Sequence, residues 1–351
     1  MEHRRRQTRR CAQVFLAAAL AVGLAAIVVV SAAADGPPAW AYGFTTPPPA
    51  PGAPAVAPAP ASPATPAAPA AAPEDPPRQV PDSTVSFTLA QVRDPFGPAD
   101  WFPGDHPVMP DVVAHGRRPG VRACGFCHYP NGKGRPENAP VAGLPPAYFI
   151  QTMSDFRNGL RKTADPRKAN TETMSQFARG MTDEEIKAAA AYFGSMKWTP
   201  WITVREVAVV PKTRLVVGMF VREEGSASEP LGSRIIEAPE NTEATELLRN
   251  PRSGFIAYAP IGSTKRGEAL VTTGAGGKTT ACATCHGAQL EGLGPVPGLA
   301  GRSPSYMVRQ MYDMQQGTRA GMWSELMKPV VAKLTTDDMV AIAAYLASRR
   351  P

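Results

Sequence analysis

Two five-residue stretches of this chain share one pattern: Cys124-Gly-Phe-Cys127-His128 and Cys282-Ala-Thr-Cys285-His286. Each has the form C-x-x-C-H, which is the attachment signature of c-type haem. The two thiols of such a motif add to the haem vinyl groups as thioethers, and the adjacent histidine is held where its imidazole reaches the iron. The sequence therefore predicts two covalently bound haem c groups, each carrying one iron.

Two other uses of paired cysteines are weighed against haem. A zinc ribbon spaces its C-x-x-C pairs by about 15–20 residues, whereas 154 residues lie between Cys127 and Cys282. A thioredoxin-like disulfide is expected beside a βαβ pattern, which neither motif shows. Both alternatives are therefore disfavoured.

The motifs belong to an internal repeat. An offset of 158 residues pairs Cys124 with Cys282, Pro146 with Pro304, Tyr148 with Tyr306, Gly159 with Gly317 and Arg161 with Arg319. Further along the offset falls to 153, and Met174 pairs with Met327. Each half runs from the haem motif through a loop rich in Pro and Gly, an amphipathic helix and an irregular stretch to a helix capped by threonine. A duplicated domain explains this order.

Met174 and Met327 are predicted as the sixth iron ligands, opposite His128 and His286. Both are expected in non-helical stretches, and Met322 is the rival of Met327. The methionines on helical spacing are expected to fill the core instead; these are Met153, Met307, Met311 and Met314. A thioether ligand raises the haem potential and fills the sixth position, which disfavours an enzyme that needs an open iron site. The predicted cofactor site is thus Cys124, Cys127, His128, Met174, Cys282, Cys285, His286 and Met327, with no catalytic residue.

Three further residue choices accompany this site. The carbonyl of Pro297 is the better candidate to accept the proximal Nδ1–H in the second half, and that of Pro140 is a weaker candidate in the first. His106 and His115 are interpreted as surface histidines rather than alternative ligands.

Residues 1–35 are predicted to be a signal sequence or a membrane anchor. Val14 to Ala34 form an uncharged apolar run that is long enough to cross a bilayer, and five arginines precede it. Trp40, Tyr42 and Phe44 are interpreted as interfacial aromatic residues. An uncleaved anchor is favoured over cleavage after Ala34 or Ala41, and both place the remaining chain on the periplasmic side of a bacterial inner membrane.

The residues from 36 to 351 divide by composition into four segments. Residues 36–82 hold 16 of the 39 prolines and are predicted to be a disordered Pro/Ala-rich linker, either a passive spacer or a leash. Residues 83–198 and 262–351 are predicted as haem domains. Residues 199–261 contain β-branched runs and are predicted as a β-containing connector. The fold class is thus all-α, with two cytochrome c-like domains and a small β-containing insertion.

Charge excludes one class of function. The chain has 37 basic and 30 acidic residues. Five of the basic residues and one of the acidic residues lie before residue 35, so the rest of the chain is nearly neutral. It contains no basic stripe with interleaved aromatic residues, and nucleic-acid binding is disfavoured.

The sequence resembles the di-haem class I cytochromes c of the cytochrome c-four type. The resemblance covers about residues 110–198 and 262–350, and it rests on CGFCH and CATCH with the amphipathic and capped helices that follow each motif. It implies two helical haem domains, periplasmic transfer of single electrons and haems close enough to exchange electrons. The roughly 60-residue connector departs from the family's short interdomain link.

We expect an electron carrier rather than an enzyme, working between a quinol-oxidising complex and a terminal oxidase. The first alternative is a cytochrome subunit of a dehydrogenase, for which the connector would be an interface. The second is a di-haem enzyme such as a peroxidase, which would need an open iron position.

Overall fold

Two helical segments, each beginning near a haem motif, lie on either side of a segment of short strands. The computed structural model describes residues 36–48 and 75–351, and these belong to one unit. The N-terminal apolar run and Cys11 lie outside the described residues. Among the described residues, no helix is long and apolar enough to cross a membrane.

The first part of the chain contains short helices and then the three longer helices of the first haem segment. The helices are α1 (Ala39–Tyr42), α2 (Leu89–Val92), α3 (Asp111–Ala114), α4 (Cys124–His128), α5 (Pro146–Arg157), α6 (Ala169–Gly180) and α7 (Asp183–Gly194), with a 3₁₀ turn at Pro103–Asp105. Thr182 caps α7 in a reciprocal capping box with Glu185, as the sequence predicts.

The second haem segment repeats this order. Its helices are α8 (Ser263–Thr273), α9 (Ala283–His286), α10 (Pro304–Gln315), α11 (Met322–Val331) and α12 (Thr336–Ser348). Thr335 forms the second capping box, with Asp338. Helix α10 corresponds to α5 and α12 to α7, so the predicted duplication is visible in the fold.

The connector contains the predicted strands. They are β1 (Ile202–Glu206), β2 (Val209–Pro211), β3 (Thr213–Val216), β4 (Met219–Arg222), β5 (Ser228–Pro230), β6 (Ile236–Pro239) and β7 (Phe255–Ala259), with a π-helical turn at Glu243–Leu247. In the central sheet, β7 pairs in parallel with β1 and antiparallel with β6. Strands β2 and β5 form one ribbon, and β3 and β4 form another. The hairpin β8 (Gly292–Leu293) and β9 (Val296–Pro297) follows the second haem motif.

The connector is part of the hydrophobic core. Its buried residues Ile236, Ala257 and Tyr258 belong to the same cluster as Met307 and Met311 of α10 and much of α12. A separate cluster fills the first haem segment, around Met153, Phe156 and Phe193. The prediction that the helically spaced methionines are core residues is confirmed.

Within residues 36–48, which the sequence predicts as linker, residues 40–42 are packed into this core instead. Trp40, Ala41 and Tyr42 are buried against α10 and the connector. The prediction that Trp40, Tyr42 and Phe44 are interfacial aromatics, and that the whole of 36–82 is disordered, is wrong for these residues. Since large aromatic side chains gain most from burial, the Trp-Ala-Tyr sequence serves the protein core. Val80 is also buried, whereas residues 49–74 lie outside the described part.

The docked segment touches both haem segments and the connector, and residues 39–46 are hereafter called the N-terminal clasp. On α10, Asp313 accepts a hydrogen bond from the Tyr42 hydroxyl at 2.7 Å. In the first haem segment, the guanidinium of Arg167 lies 4.1 Å from the centre of the Phe44 ring. Gly43 has a φ of +84°, and a Cβ there would lie 2.5 Å from the carbonyl oxygen of Gly218. Only glycine allows the clasp to approach the connector this closely.

Candidate functional site

The first haem motif forms the short helix α4, and a backbone carbonyl orients its histidine. His128 Nδ1 lies 2.8 Å from the carbonyl oxygen of Ala139. Because a carbonyl can only accept, Nδ1 carries the proton and Nε2 remains available to iron. Burial lowers the pKa of His128, which favours the neutral imidazole that binds metals. The sequence-based choice of Pro140 is wrong by one residue, since the Ala139 carbonyl points toward the ring.

The second motif repeats this arrangement. His286 Nδ1 lies 2.7 Å from the carbonyl oxygen of Pro297, on strand β9. This contact agrees with the predicted role of Pro297. Burial again lowers the pKa of the imidazole. The β8–β9 hairpin therefore fixes His286 in the tautomer that carries its proton on Nδ1.

The first cysteine of each motif is largely shielded from solvent, whereas Cys285 is exposed. Burial raises the pKa of Cys124 to about 12 and that of Cys282 to about 11. A redox-active C-x-x-C motif has the opposite property, since it needs a cysteine whose pKa is lowered. The raised pKa values of Cys124 and Cys282 are thus unlike those of a redox-active pair.

Met174 lies near the middle of helix α6, and Met327 near the middle of α11. The expectation of non-helical stretches is wrong for both. Pro329 lies inside α11, where it has no N–H to donate to the carbonyl of Glu325 four residues earlier. Met174 packs against the same core cluster as Cys124, and Met327 against the same cluster as Cys282. Met322, the rival of Met327, is 66% exposed.

A cavity of 1390 Å³ surrounds the first motif. Cys124, Cys127, His128 and Met174 all line it, so the four predicted haem-binding residues of this half border one space. The cavity exceeds the roughly 300–1,000 Å³ of an ordinary small-molecule site. These residues therefore fit a haem: the cysteines would hold its vinyl edge, and His128 and Met174 would hold the iron. The bound haem would supply a centre that takes up and releases one electron.

The second haem domain forms part of the wall of this cavity. Tyr306, Arg309, Gln310 and Asp313 of α10 line it together with the residues of the first motif. The site of the first haem is therefore completed by the other half of the chain.

Next to this wall, the two halves are joined by a reciprocal hydrogen-bond network. Arg161 donates to the hydroxyl of Tyr306 at 3.0 Å, and Arg319 donates to that of Tyr148 at 2.6 Å. Gln310 Oε1 accepts from both arginines, at 2.9 and 2.8 Å. The two tyrosines, and likewise the two arginines, are pairs that match at the offset of 158.

Backbone hydrogen bonds reinforce the junction. Lys162 N donates to Thr318 O at 2.8 Å, and Ala320 N donates to Leu160 O at 2.7 Å. They flank Arg161 and Arg319, which form an antiparallel bridge. Since both arginines are buried, the interface between the haem domains is fixed by main chain and side chains together.

The other two histidines differ from each other. His115 is exposed, as predicted. His106 is not a surface histidine, because its side chain is only 4% exposed. Its Nε2 lies 3.1 Å from Asp100 and its Nδ1 lies 2.9 Å from the Pro107 carbonyl. Both ring nitrogens of His106 are therefore occupied by protein oxygens.

Comparison with known proteins supports this interpretation. The family model described as Cytochrome c matches residues 113–197 and 265–350. Cytochrome c-554(548) of Halomonas halodenitrificans is 36% identical over 73 residues, which are 20% of this chain and 88% of that protein. The chain belongs to the cytochrome c family. Its two matched segments each contain one attachment motif, so it carries two covalently bound haem c groups.

Longer relatives match both halves. Cytochrome c4 of Azotobacter vinelandii is 25% identical over 229 residues, covering 64% of this chain and 82% of that protein. A protein of Stutzerimonas stutzeri named thiosulfate dehydrogenase electron acceptor is 24% identical over 236 residues, covering 66% and 82%. This cytochrome is of the di-haem cytochrome c4 type and functions as an electron carrier.

Some functional residues were missed at the level of sequence. The pairing of Tyr148 with Tyr306 and of Arg161 with Arg319 is visible as a repeat, but their mutual contact is not. The available signal is that large polar residues recur at one offset in two domains that must meet. Lys168, Arg135 and Arg249 also line the first cavity, and nothing in their local sequence indicates this.

Proposed function

We propose that this cytochrome carries electrons on the periplasmic side of a bacterial inner membrane, from a quinol-oxidising complex to a terminal oxidase. The observation that supports it best is the shared wall of the first haem cavity, to which α10 of the second haem domain contributes Tyr306 and Gln310. One rigid junction holds both haem domains, so an electron that enters one can pass to the other without domain rearrangement.

The same junction favours a carrier over an enzyme. Arg161 and Arg319 donate from their terminal guanidinium nitrogens to Tyr306, Tyr148 and Gln310, so these buried cations serve the interface. A methionine on each side of the junction would occupy the sixth iron position and leave no site for peroxide.

The proposed location rests on the N-terminal sequence. The uncharged run from Val14 to Ala34 follows five arginines, the pattern of a segment whose N-terminus remains in the cytoplasm. Haem attachment at C-x-x-C-H motifs requires the two domains to be exported with it.

The test uses the full chain, loaded with haem, in liposomes that also contain a bacterial quinol–cytochrome c oxidoreductase and a cytochrome c oxidase. We expect quinol-dependent oxygen consumption that needs this cytochrome and that ends when either enzyme is inhibited. A matched chain that begins at Gly36 should carry electrons in solution but no longer sediment with the vesicles. No cytochrome-dependent oxygen consumption would contradict the proposed partners, and sedimentation of the shortened chain would contradict the proposed anchor.

A second candidate is the electron acceptor of a dehydrogenase. It is favoured by the relative that is named for accepting electrons from thiosulfate dehydrogenase. In this case, purified thiosulfate dehydrogenase with thiosulfate should reduce the haems faster than the quinol-oxidising complex does, and the two proteins should co-purify. Reduction only by the quinol-oxidising complex excludes this candidate.

A further inference from the structure

Lys168 is a buried cation whose ammonium group faces a cavity. It directly precedes α6, is 6% exposed and lines the cavity of the first haem motif. Within residues 36–48 and 75–351, its side chain makes neither a hydrogen bond nor an ion pair within 4 Å. Because burial without a partner is costly for an ammonium group, this position calls for an anion.

The carboxylates nearest to Lys168 are already paired with arginines. Glu137 lies 2.6 Å from Arg135, and Asp165 lies 2.7 Å from Arg167. They attract the ammonium of Lys168 only from a distance. Among the described residues, neither carboxylate lies within ion-pair distance of Lys168, although both oxygens of Glu137 are buried without a hydrogen-bond partner.

A second buried cation reaches the same space from the other haem domain. Arg309 of α10 is buried and lines the cavity, and its guanidinium donates to the carbonyls of Ala41 and Pro136 at 2.5 and 2.8 Å. Its charge repels that of Lys168, with Glu137 and Asp165 as the opposing acidic groups. Over the whole wall, ten basic side chains face six acidic ones. The cavity is therefore positive, and suited to an anionic group.

The haem that this cavity fits has such groups. A haem held by two thioethers at Cys124 and Cys127 presents its two propionates at the opposite edge of the ring. These carboxylates can accept charge-assisted hydrogen bonds from an ammonium or a guanidinium group.

We propose that Lys168 binds a propionate of the first haem, with Arg309 of the second haem domain beside it, and thereby raises the reduction potential of the first haem alone. A fixed positive charge near the iron favours the reduced form, which is less positive by one unit. The two halves differ here, because position 168 corresponds to Leu326 at the offset of 158 and to Gly321 at the offset of 153. The second haem has no equivalent lysine at these positions.

The acid–base properties of Lys168 agree with this role. Burial lowers its pKa to about 7, with Arg309 adding repulsion and with Glu137 and Asp165 opposing the change. A propionate oxygen in contact with the ammonium would raise the pKa again and keep the group charged. The inference depends on the haem site, and the electron donor and acceptor do not enter it.

The test is a spectroelectrochemical titration of the full haem-loaded chain at pH 7. In Lys168→Gln, we expect the equilibrium constant for reduction of the first haem to fall roughly tenfold, which is about 59 mV for one electron. The second haem should change much less, and Lys168→Arg should restore most of the difference. A Met327→His background, which lowers the potential of the second haem, identifies the two waves. The matched control is Lys187→Gln, an exposed lysine of α7, which should leave both waves unchanged.

Two results would overturn the proposal. The first concerns Lys168→Gln with a normal haem spectrum. Both reduction potentials would be unchanged in it, or the potential of its first haem would fall and Lys168→Arg would not restore that potential. The second needs no variant: redox-difference infrared spectra of the unsubstituted chain, with ¹³C in the haem carboxyls, should show ionised propionates at pH 7. A protonated propionate on the first haem would contradict an ion pair with Lys168, even where Lys168→Gln fails to fold.

Discussion

Replacing Glu237 by glutamine should remove a large part of the pH dependence of stability. Glu237 lies on β6 and is 2% exposed. It accepts hydrogen bonds from Ser303 Oγ at 2.9 and 2.8 Å and from Ser305 N at 2.9 Å, at the start of α10. Burial still dominates these donors and raises the pKa of the carboxyl from 4.5 to about 7. The native protein therefore keeps a proton that the unfolded chain releases.

The direction and the size of this pH effect on stability follow from the difference in proton binding between the native and the unfolded state. Between pH 4.5 and about 7 the native state binds more protons than the unfolded state, so the stabilisation is complete below pH 4.5 and is lost as the pH rises through 7. At 1.36 kcal/mol per pH unit, this amounts to about 3 kcal/mol. Glutamine keeps a carbonyl acceptor for the serines and does not titrate. The free energy of unfolding of Glu237→Gln should therefore equal that of the unsubstituted protein near pH 4.5 and exceed it at pH 8.

The assay is urea unfolding of the haem-loaded chain at pH 5, 6, 7 and 8, followed by circular dichroism. Glu268→Gln is the matched control, because Glu268 is an exposed glutamate of α8 and its removal should leave the pH slope intact. If Glu237→Gln and the unsubstituted protein lose stability in parallel from pH 5 to 8, the carboxyl is already ionised in the native state. The argument from burial would then be refuted.

Three further predictions concern the haem ligands, the N-terminal clasp and the domain junction. Met174→Ala and Met327→Ala should each remove half of the weak far-red sulfur-to-iron band of the oxidised protein and open one haem to carbon monoxide; an unchanged band in either variant would disprove that ligand. Tyr42→Phe should lower the free energy of unfolding by about 1–3 kcal/mol, measured with urea, because the buried carboxylate of Asp313 loses its hydroxyl donor; no change would show that the clasp is not held by this bond. Arg319→Lys should cost a similar amount, since an ammonium group cannot span both acceptors of the guanidinium fork, and exposed Arg205→Lys should cost little in the same assay.

Much of the fold follows from local sequence because its signals are local. The haem motifs, the capping boxes at Thr182 and Thr335 and the β-branched runs of the connector each require only neighbouring residues. The structure agrees with these predictions to within a few residues. The spacing of the repeat also predicted that the two halves share one order of elements.

The sequence-based predictions were wrong where contacts between distant residues determine the local structure. Trp40 and Tyr42 follow an apolar run, and their place in the core depends on distant residues, such as Asp313, which accepts a hydrogen bond from Tyr42. Met174 follows a polar stretch that looks irregular in the sequence. The stretch around Met174 is helical because α6 packs against the core cluster of the first haem segment. The choice between the adjacent carbonyls at 139 and 140 depends on backbone direction, which composition does not encode.

The N-terminal clasp changes what the Pro/Ala-rich stretch can do. The chain is held on the folded body at Tyr42 and Thr46, and it is held again from Asp75, whose carboxylate accepts from the backbone of Leu89 and Ala90. The described residues on both sides of this stretch therefore contact one folded body, so an insertion between them would enlarge a closed loop on that body rather than extend the reach of the haem domains. Doubling such a loop costs only about 0.6 kcal/mol of closure entropy. A longer Pro/Ala-rich stretch should therefore cost the folded body little stability.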